Sequence, residues 1–187
     1  MAKRISQKEC EALFLQCATP EHVIGHCREV SRVAVKIGEK LNEHGFRLDI
    51  GLIRGAGLCH DVLRVEDKHW EAGADLLEHL GYQDEADIVR VHMTYDFHDF
   101  SHLNETDIVC LADRLVMENH YVGLDRRIAY ILEKAGNDPC SRERISGKKE
   151  ETRQLMEEIE KNIGQTVDSL FQTKKEKKEE MKNYADF

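Results

Sequence analysis

The chain has 187 residues, 41% apolar and 34% charged, with a formal net charge of −9. That length suits one domain able to bury a core. The acidic balance argues against a nucleic-acid polymer or an anionic membrane surface as partner. No apolar run reaches the roughly 18 residues of a membrane span.

Only two prolines and 12 glycines interrupt the helix formers, and apolar residues recur at helical spacing along the chain. The N-terminal stretch "MAKRISQKECEALFLQC" turns acidic early and carries no signal-peptide core, so a cytoplasmic location is expected. Thr19-Pro20 opens a segment in which Val23, Cys27, Val30, Ala34, Ile37 and Leu41 form one buried face, closed by Gly45. Asp49 is positioned to cap a helix over 50–60, with Leu52, Ile53, Ala56 and Cys59 inward. Asp67 is positioned to cap another, with Ala72, Leu76, Leu77 and Leu80 inside and Gly81 as its stop. Further helices are predicted over 83–93, 105–119 and 124–135. A last one begins near 142, with Leu155, Ile159, Ile163, Val167, Leu170 and Phe171 on one face.

No segment sustains the period-two alternation of a strand, and no repeat divides the chain. The pattern predicts an all-α, single-domain bundle of about seven or eight helices. Its core covers 20–135, a C-terminal packing helix covers 142–172, and 173–187 is a charged, frayed tail. The cysteines at 10, 17, 27, 59, 110 and 140 lack CxxC spacing, and several fall on apolar faces as reduced core residues.

Ten histidines are a surplus, and their placement is informative. His26 lies early in the 20–45 segment, His60-Asp61 end an apolar helix, His69 starts the next, and His92 ends the one after. Asp113 sits on an otherwise apolar face between Leu111, Ala112, Leu115 and Val116. A carboxylate there requires a cation or hydrogen-bond donors, and a neighbouring arginine would serve as well as a metal. Imidazole with carboxylate suits first-row divalent ions. His98-Asp99 repeats the His-Asp pair in a polar segment, where His98, His102 and His120 read as surface residues. His22, His44 and His79 read as exposed helix positions.

The ordered set "GHCREVSRVAVKIGEKL", "IRGAGLCHDVLR", "KHWEAGADLL", "IVRVHM" and "IVCLADRLV" resembles the HD-domain metal-dependent phosphohydrolase superfamily over roughly residues 20–135. Among its branches, "ADRLV" followed by "VGLDRR" looks closest to small bacterial HD proteins. The Gly-Tyr-Pro motif of the subgroup that cleaves cyclic di-guanylate is absent. The "ADxIEPxR" of the dinucleoside-tetraphosphate hydrolases is here "ADRLVMEN". The resemblance implies an HD-type helical fold with His26, His60, Asp61 and Asp113 around one metal. It also implies a second ion on His69 and His92, with Asp61 bridging and His98 a looser addition. Iron, manganese or another first-row metal would fit, as one ion or two.

A bound metal lowers the pKa of water toward about 7 and withdraws charge from phosphate oxygens. Asp61 and Arg64 are therefore the expected catalytic residues. Arg64 stands where many relatives carry lysine just after the His-Asp pair, and Lys68 and Arg114 are further candidates for gripping phosphate. Arg126 and Arg127 are weaker ones. The activity implied is metal-dependent hydrolysis of a small phosphorylated substrate, a nucleotide or related phosphoester or phosphoanhydride. One rival reading is a catalytically silent HD domain that binds metal and nucleotide and regulates a partner protein. Another is a helical interaction protein that binds no metal. Substrate and oligomeric state stay open.

Overall fold

The computed structural model describes residues 3–97 and 99–172. Ser6 starts α1 (Gln7–Gln16) with a capping box, its hydroxyl accepting from the Glu9 backbone while the Glu9 carboxylate reaches back. Pro20 then fixes the entry into α2 (Glu21–Glu43). Val23, Cys27, Val30, Ala34, Ile37 and Leu41 are all buried along α2, as their spacing predicts. Asp49 caps α3 (Ile50–Cys59) by accepting from the Leu52 N–H. This helix is buried nearly all round, which explains its almost unbroken apolar sequence.

The start of α4 (His69–His79) departs from expectation. Asp67 is exposed, and the cap position falls to Lys68, held left-handed at φ 52° with no side-chain cap. The buried face of α4 shifts accordingly to His69, Gly73, Ala74 and Leu77, and Leu80 is 39% exposed beyond the helix. Next come α5 (Gln83–Val91) and α6 (Glu105–Leu115), the latter opened by a capping box between Asn104 and Asp107.

The helix expected over 105–119 stops at Leu115. Val116–Met117 (β1) and His120–Tyr121 (β2) pair antiparallel instead, turning at Glu118-Asn119 with Glu118 at φ 55°. After this hairpin come α7 (Gly123–Ala135) and α8 (Pro139–Ile163). α8 starts ahead of position 142 because Asp138 caps it and Pro139 fits its first turn. It ends at Gly164, so Val167, Leu170 and Phe171 do not continue its face. A short 3₁₀ turn, Asp168–Leu170, folds them back, and the Phe171 ring stacks on Tyr121 with centroids 4.2 Å apart.

Two apolar cores meet along α2 and α3. One gathers Val30, Ile37, Ile53, Leu111 and Ile159, between α2, α3, α6 and the C-terminal helix pair. The other gathers Cys10, Phe14, Cys27, Leu58 and Leu77, between α1, α4, α5 and the opposite faces of α2 and α3. Cys10, Cys27, Cys59 and Cys110 are buried free thiols, as expected of core residues. Gly57 brings α3 close to α2, since a Cβ there would stand 2.9 Å from the Ser31 Cα. No described helix is long and apolar enough to cross a membrane. The tail at 173–187 and His98 lie outside the described residues.

Candidate metal centre

The end of α3 places the first pair of site residues. His60 is 1% exposed, and its Nδ1 donates to the Gly57 carbonyl at 2.9 Å. The same contact recurs where α5 ends, with His92 Nδ1 2.7 Å from the Val89 carbonyl. His26 repeats it through a different element: its Nδ1 donates to the Glu118 carbonyl at 2.8 Å. The left-handed turn residue of the hairpin aims that carbonyl. Gly25 allows the approach, because a Cβ there would already stand 3.3 Å from Asn119 Cβ.

These three contacts have one chemical consequence. A backbone carbonyl only accepts, so each Nδ1 carries a proton, which leaves each Nε2 turned to the interior as the atom a metal would bind. The Nε2 atoms converge on two carboxylates. His26 Nε2 lies 3.0 Å from Asp113 Oδ1. His60 Nε2 is 3.8 Å from both Asp61 Oδ2 and Asp113 Oδ1. His92 Nε2 is 3.5 Å from Asp61 Oδ1. Lone pairs facing carboxylate oxygens repel unless a proton or a cation sits among them. The Nε2 atoms of His60, His69 and His92 are buried and find no hydrogen-bond partner.

Titration behaviour agrees with this crowding. Burial pushes the Asp61 carboxyl up, but the imidazoles of His60, His69 and His92 outweigh it and hold it far below the usual carboxylate range. Asp113 is depressed in the same way, its burial outweighed by the His26 hydrogen bond and the nearby His60. Burial lowers the pKa of His60, against the pull of Asp61 and Asp113. His26 and His92 are raised, because their contacts with Asp113 and Asp61 overcome the cost of burial.

His69, the first residue of α4, completes the cluster with its Nε2 3.0 Å from Asp61 Oδ1. The donor atoms form two overlapping groups, His26 with His60 and Asp61, and Asp61 with His69 and His92. Within each group they lie within 4.8 Å of one another. Asp113 adjoins the first group through His26 and His60. Four imidazoles and two carboxylates, with orphaned Nε2 atoms inward, fit a first-row divalent ion in either group.

The remaining candidates are dispersed. Arg64 stands at the rim, its Nε 3.4 Å from Asp61 Oδ2 and its Nη1 3.3 Å from His69 Nδ1. A guanidinium only donates, so His69 accepts there, whereas cation binding through Nε2 needs the proton on Nδ1. Arg64, half-exposed, must turn away for His69 to act as a ligand.

Lys68 does not reach the site: it is exposed and points to Glu71 at 3.4 Å. Arg114 does not reach it either. Its guanidinium lies 4.2 Å over the Phe97 ring and bonds to Thr152 and to the Tyr95 carbonyl, tying α6 to α8. Asp113, one residue earlier, pairs with His26 rather than with an arginine. Asp99, of the second His-Asp pair, turns to Ser101 and His102 in solvent.

Above the cluster opens a cavity of about 1350 Å³, with His26, Asp61, His92 and Asp113 at its floor. Its walls include side chains that the sequence pattern did not single out, among them Arg28, Arg32, Tyr130 and Lys134. Their helical spacing was visible, but nothing in it told a cavity wall from ordinary solvated surface.

No solved structure matches the chain. An uncharacterized protein of Methanocaldococcus jannaschii is 25% identical over 142 residues, covering 67% of this chain and 84% of its own length. The sequence model of the HD domain matches residues 23–118, a span holding every residue of the cluster. HD domains bind divalent metals and are generally metal-dependent hydrolases. The chain belongs to the HD-domain metal-dependent phosphohydrolase superfamily.

Proposed function

We propose that this chain is a divalent-metal-dependent phosphohydrolase acting on a nucleotide or related phosphoester or phosphoanhydride. The observation that carries the reading is the arrangement of imidazoles. Three rings have their Nδ1 committed to backbone carbonyls and turn their Nε2 atoms onto Asp61 and Asp113. His26, His60, Asp61 and Asp113 would hold one ion, and Asp61, His69 and His92 a second. Bound divalent ions supply a water of lowered pKa and positive charge for phosphate oxygens.

The chain's own groups supply the rest. Asp61, with one oxygen toward His60 and the other toward His69 and His92, serves both groups. Arg64, released from His69, can donate to a non-bridging phosphate oxygen from the rim. His60 and His69, behind the residues of the floor, are buried, which keeps bulk water from the inner side of the cluster. A cavity of this size admits a nucleotide-sized substrate.

The test uses full-length protein purified without a histidine tag. Elemental analysis should find first-row metal bound. Added manganese or iron should support turnover of a panel of nucleotides, phosphomonoesters and phosphodiesters. Bound metal with no turnover across that panel would refute the hydrolase and favour a silent, ligand-binding HD domain. Absence of metal would refute both.

A further inference from the structure

α7 carries a second group of cations over the same cavity. Arg127, Tyr130 and Lys134 are three and four residues apart on one face of α7, and all three line the cavity above Asp61 and Asp113. The adjoining face holds Leu124 and Ile128 in the core, so packing fixes the direction of the cationic face. Arg127 and Lys134 flank the Tyr130 ring, at 5.8 Å and 4.4 Å from its centroid.

Charge pairing separates these two cations from the others in the cavity. Arg28 is neutralised by Glu11 at 2.7 Å, and Arg32 by Glu29 at 2.7 Å. Arg64 leans on Asp61. Neither Arg127 nor Lys134 forms an ion pair among the described residues, and the Arg127 Nε is buried without a hydrogen-bond partner. A buried guanidinium donor with no acceptor costs free energy that an incoming anion would recover. In a chain of net charge −9, unspent positive charge aimed into a cavity is a local exception to the overall balance.

We infer that the Arg127–Tyr130–Lys134 face is a second anion subsite, taking a phosphate group remote from the one held at the histidine–aspartate cluster. The substrate class that satisfies both is a small molecule carrying phosphate at two separated positions. Seven residues of helix separate Arg127 from Lys134, about 10 Å, so the face can follow an extended ligand out of the cavity. This inference rests on the phosphohydrolase reading of the floor for its first phosphate, and on α7 alone for its second.

The test compares butane-1,4-diol bisphosphate with butyl phosphate by calorimetric titration of manganese-loaded protein. Wild type should bind the bisphosphate about tenfold or more tightly than the monophosphate. Arg127→Gln with Lys134→Gln should erase that preference and leave butyl phosphate affinity unchanged. Arg127 has no ion pair to lose among the described residues, so the double variant should melt with wild type. If it does not, Arg127→Lys, which keeps the charge, should retain most of the preference.

An equal preference in wild type and the double variant, or none in wild type, overturns the subsite. A second arm uses chelator-treated protein and the bisphosphate alone. There the affinity should still fall about tenfold in the double variant, and an unchanged affinity again overturns the subsite. That arm separates the two readings: absence of metal and turnover would sink the hydrolase while leaving the α7 subsite measurable.

Discussion

Oδ1 of Asp61 stands 3.0 Å from Nε2 of His69, across the short turn between the end of α3 and the start of α4. His60, the residue before it, and His92, at the end of α5, approach the same carboxylate, so Asp61 belongs to both donor groups and His69 to one. Asp61→Asn should therefore reduce bound metal to near none, because the amide lacks the charge that attracts either ion. His69→Gln should retain about half of the wild-type metal per chain, with hydrolysis impaired in both variants. Elemental analysis reads this directly, and full occupancy in His69→Gln would leave only a one-metal site on His26, His60, Asp61 and Asp113.

Arg64 and Arg114 should behave in opposite ways. Arg64→Ala removes the group that competes for His69 Nδ1, so metal content should hold or rise. Turnover of a phosphoester should fall about tenfold or more through the lost phosphate contact. Arg114→Ala should lower stability by about 1–3 kcal/mol through its lost partners Thr152 and Tyr95. Its turnover per folded molecule should be kept. Steady-state kinetics together with denaturant titration separates the two, and a pure stability loss in Arg64→Ala would remove it from the site.

Gly57 links packing to the site. An alanine methyl would meet the Ser31 backbone at 2.9 Å, and helix backbone has little freedom to yield. Gly57→Ala should cost about 1–3 kcal/mol by overpacking. It should also weaken metal uptake, since His60 hangs from the Gly57 carbonyl. A melting curve and a metal titration matching wild type would show that α2 and α3 can separate without consequence.

Glu85 provides a pH signature away from the metal centre. It is fully buried, accepts from the Ile5 N–H at 3.0 Å, and has Arg4 3.9 Å from its second oxygen. Burial raises its pKa, against the opposing pull of Ile5 and Arg4. A folded pKa above the unfolded value near about 4.3 means that its stabilising share is complete below that pH. The share is lost as pH rises through the folded value. Glu85→Gln lacks this loss, so its melting temperature should gain on wild type between about pH 4 and pH 7. A constant difference across that range would count against a raised Glu85.

The α2 face and the Asp49 cap were legible in the sequence because each depends on local spacing and one side-chain hydrogen bond. The site was legible for a related reason. His60, His69 and His92 sit at helix ends and Asp113 on an apolar face, all places where a polar side chain needs an internal partner. What local pattern could not reveal was long-range geometry. Val116 continues the apolar spacing of α6, so nothing nearby announced that the chain would leave the helix and pair Met117 with His120. Asp67 was a better capping residue than Lys68, yet burying His69 and Ala74 took precedence over the cap. Arg114 follows Asp113 directly, but adjacent helix positions point about 100° apart. One faces the cavity and the other α8. Tyr130 and Lys134 looked like ordinary surface, and Arg127 like a weak phosphate candidate, until the cavity beside them was known.

The carbonyls of Gly57, Val89 and Glu118 belong to a helix end, a second helix end and a hairpin turn. None of them needs an ion to hold its place. The imidazoles they grip are therefore aimed before any cation arrives, and the entropy of gathering the ligands is met by folding rather than by coordination. Such a socket can exchange one ion for another, or lose it to a chelator, without the chain having to refold around the newcomer. Its occupant would then be set by the supply of metals around it more than by the shape it presents.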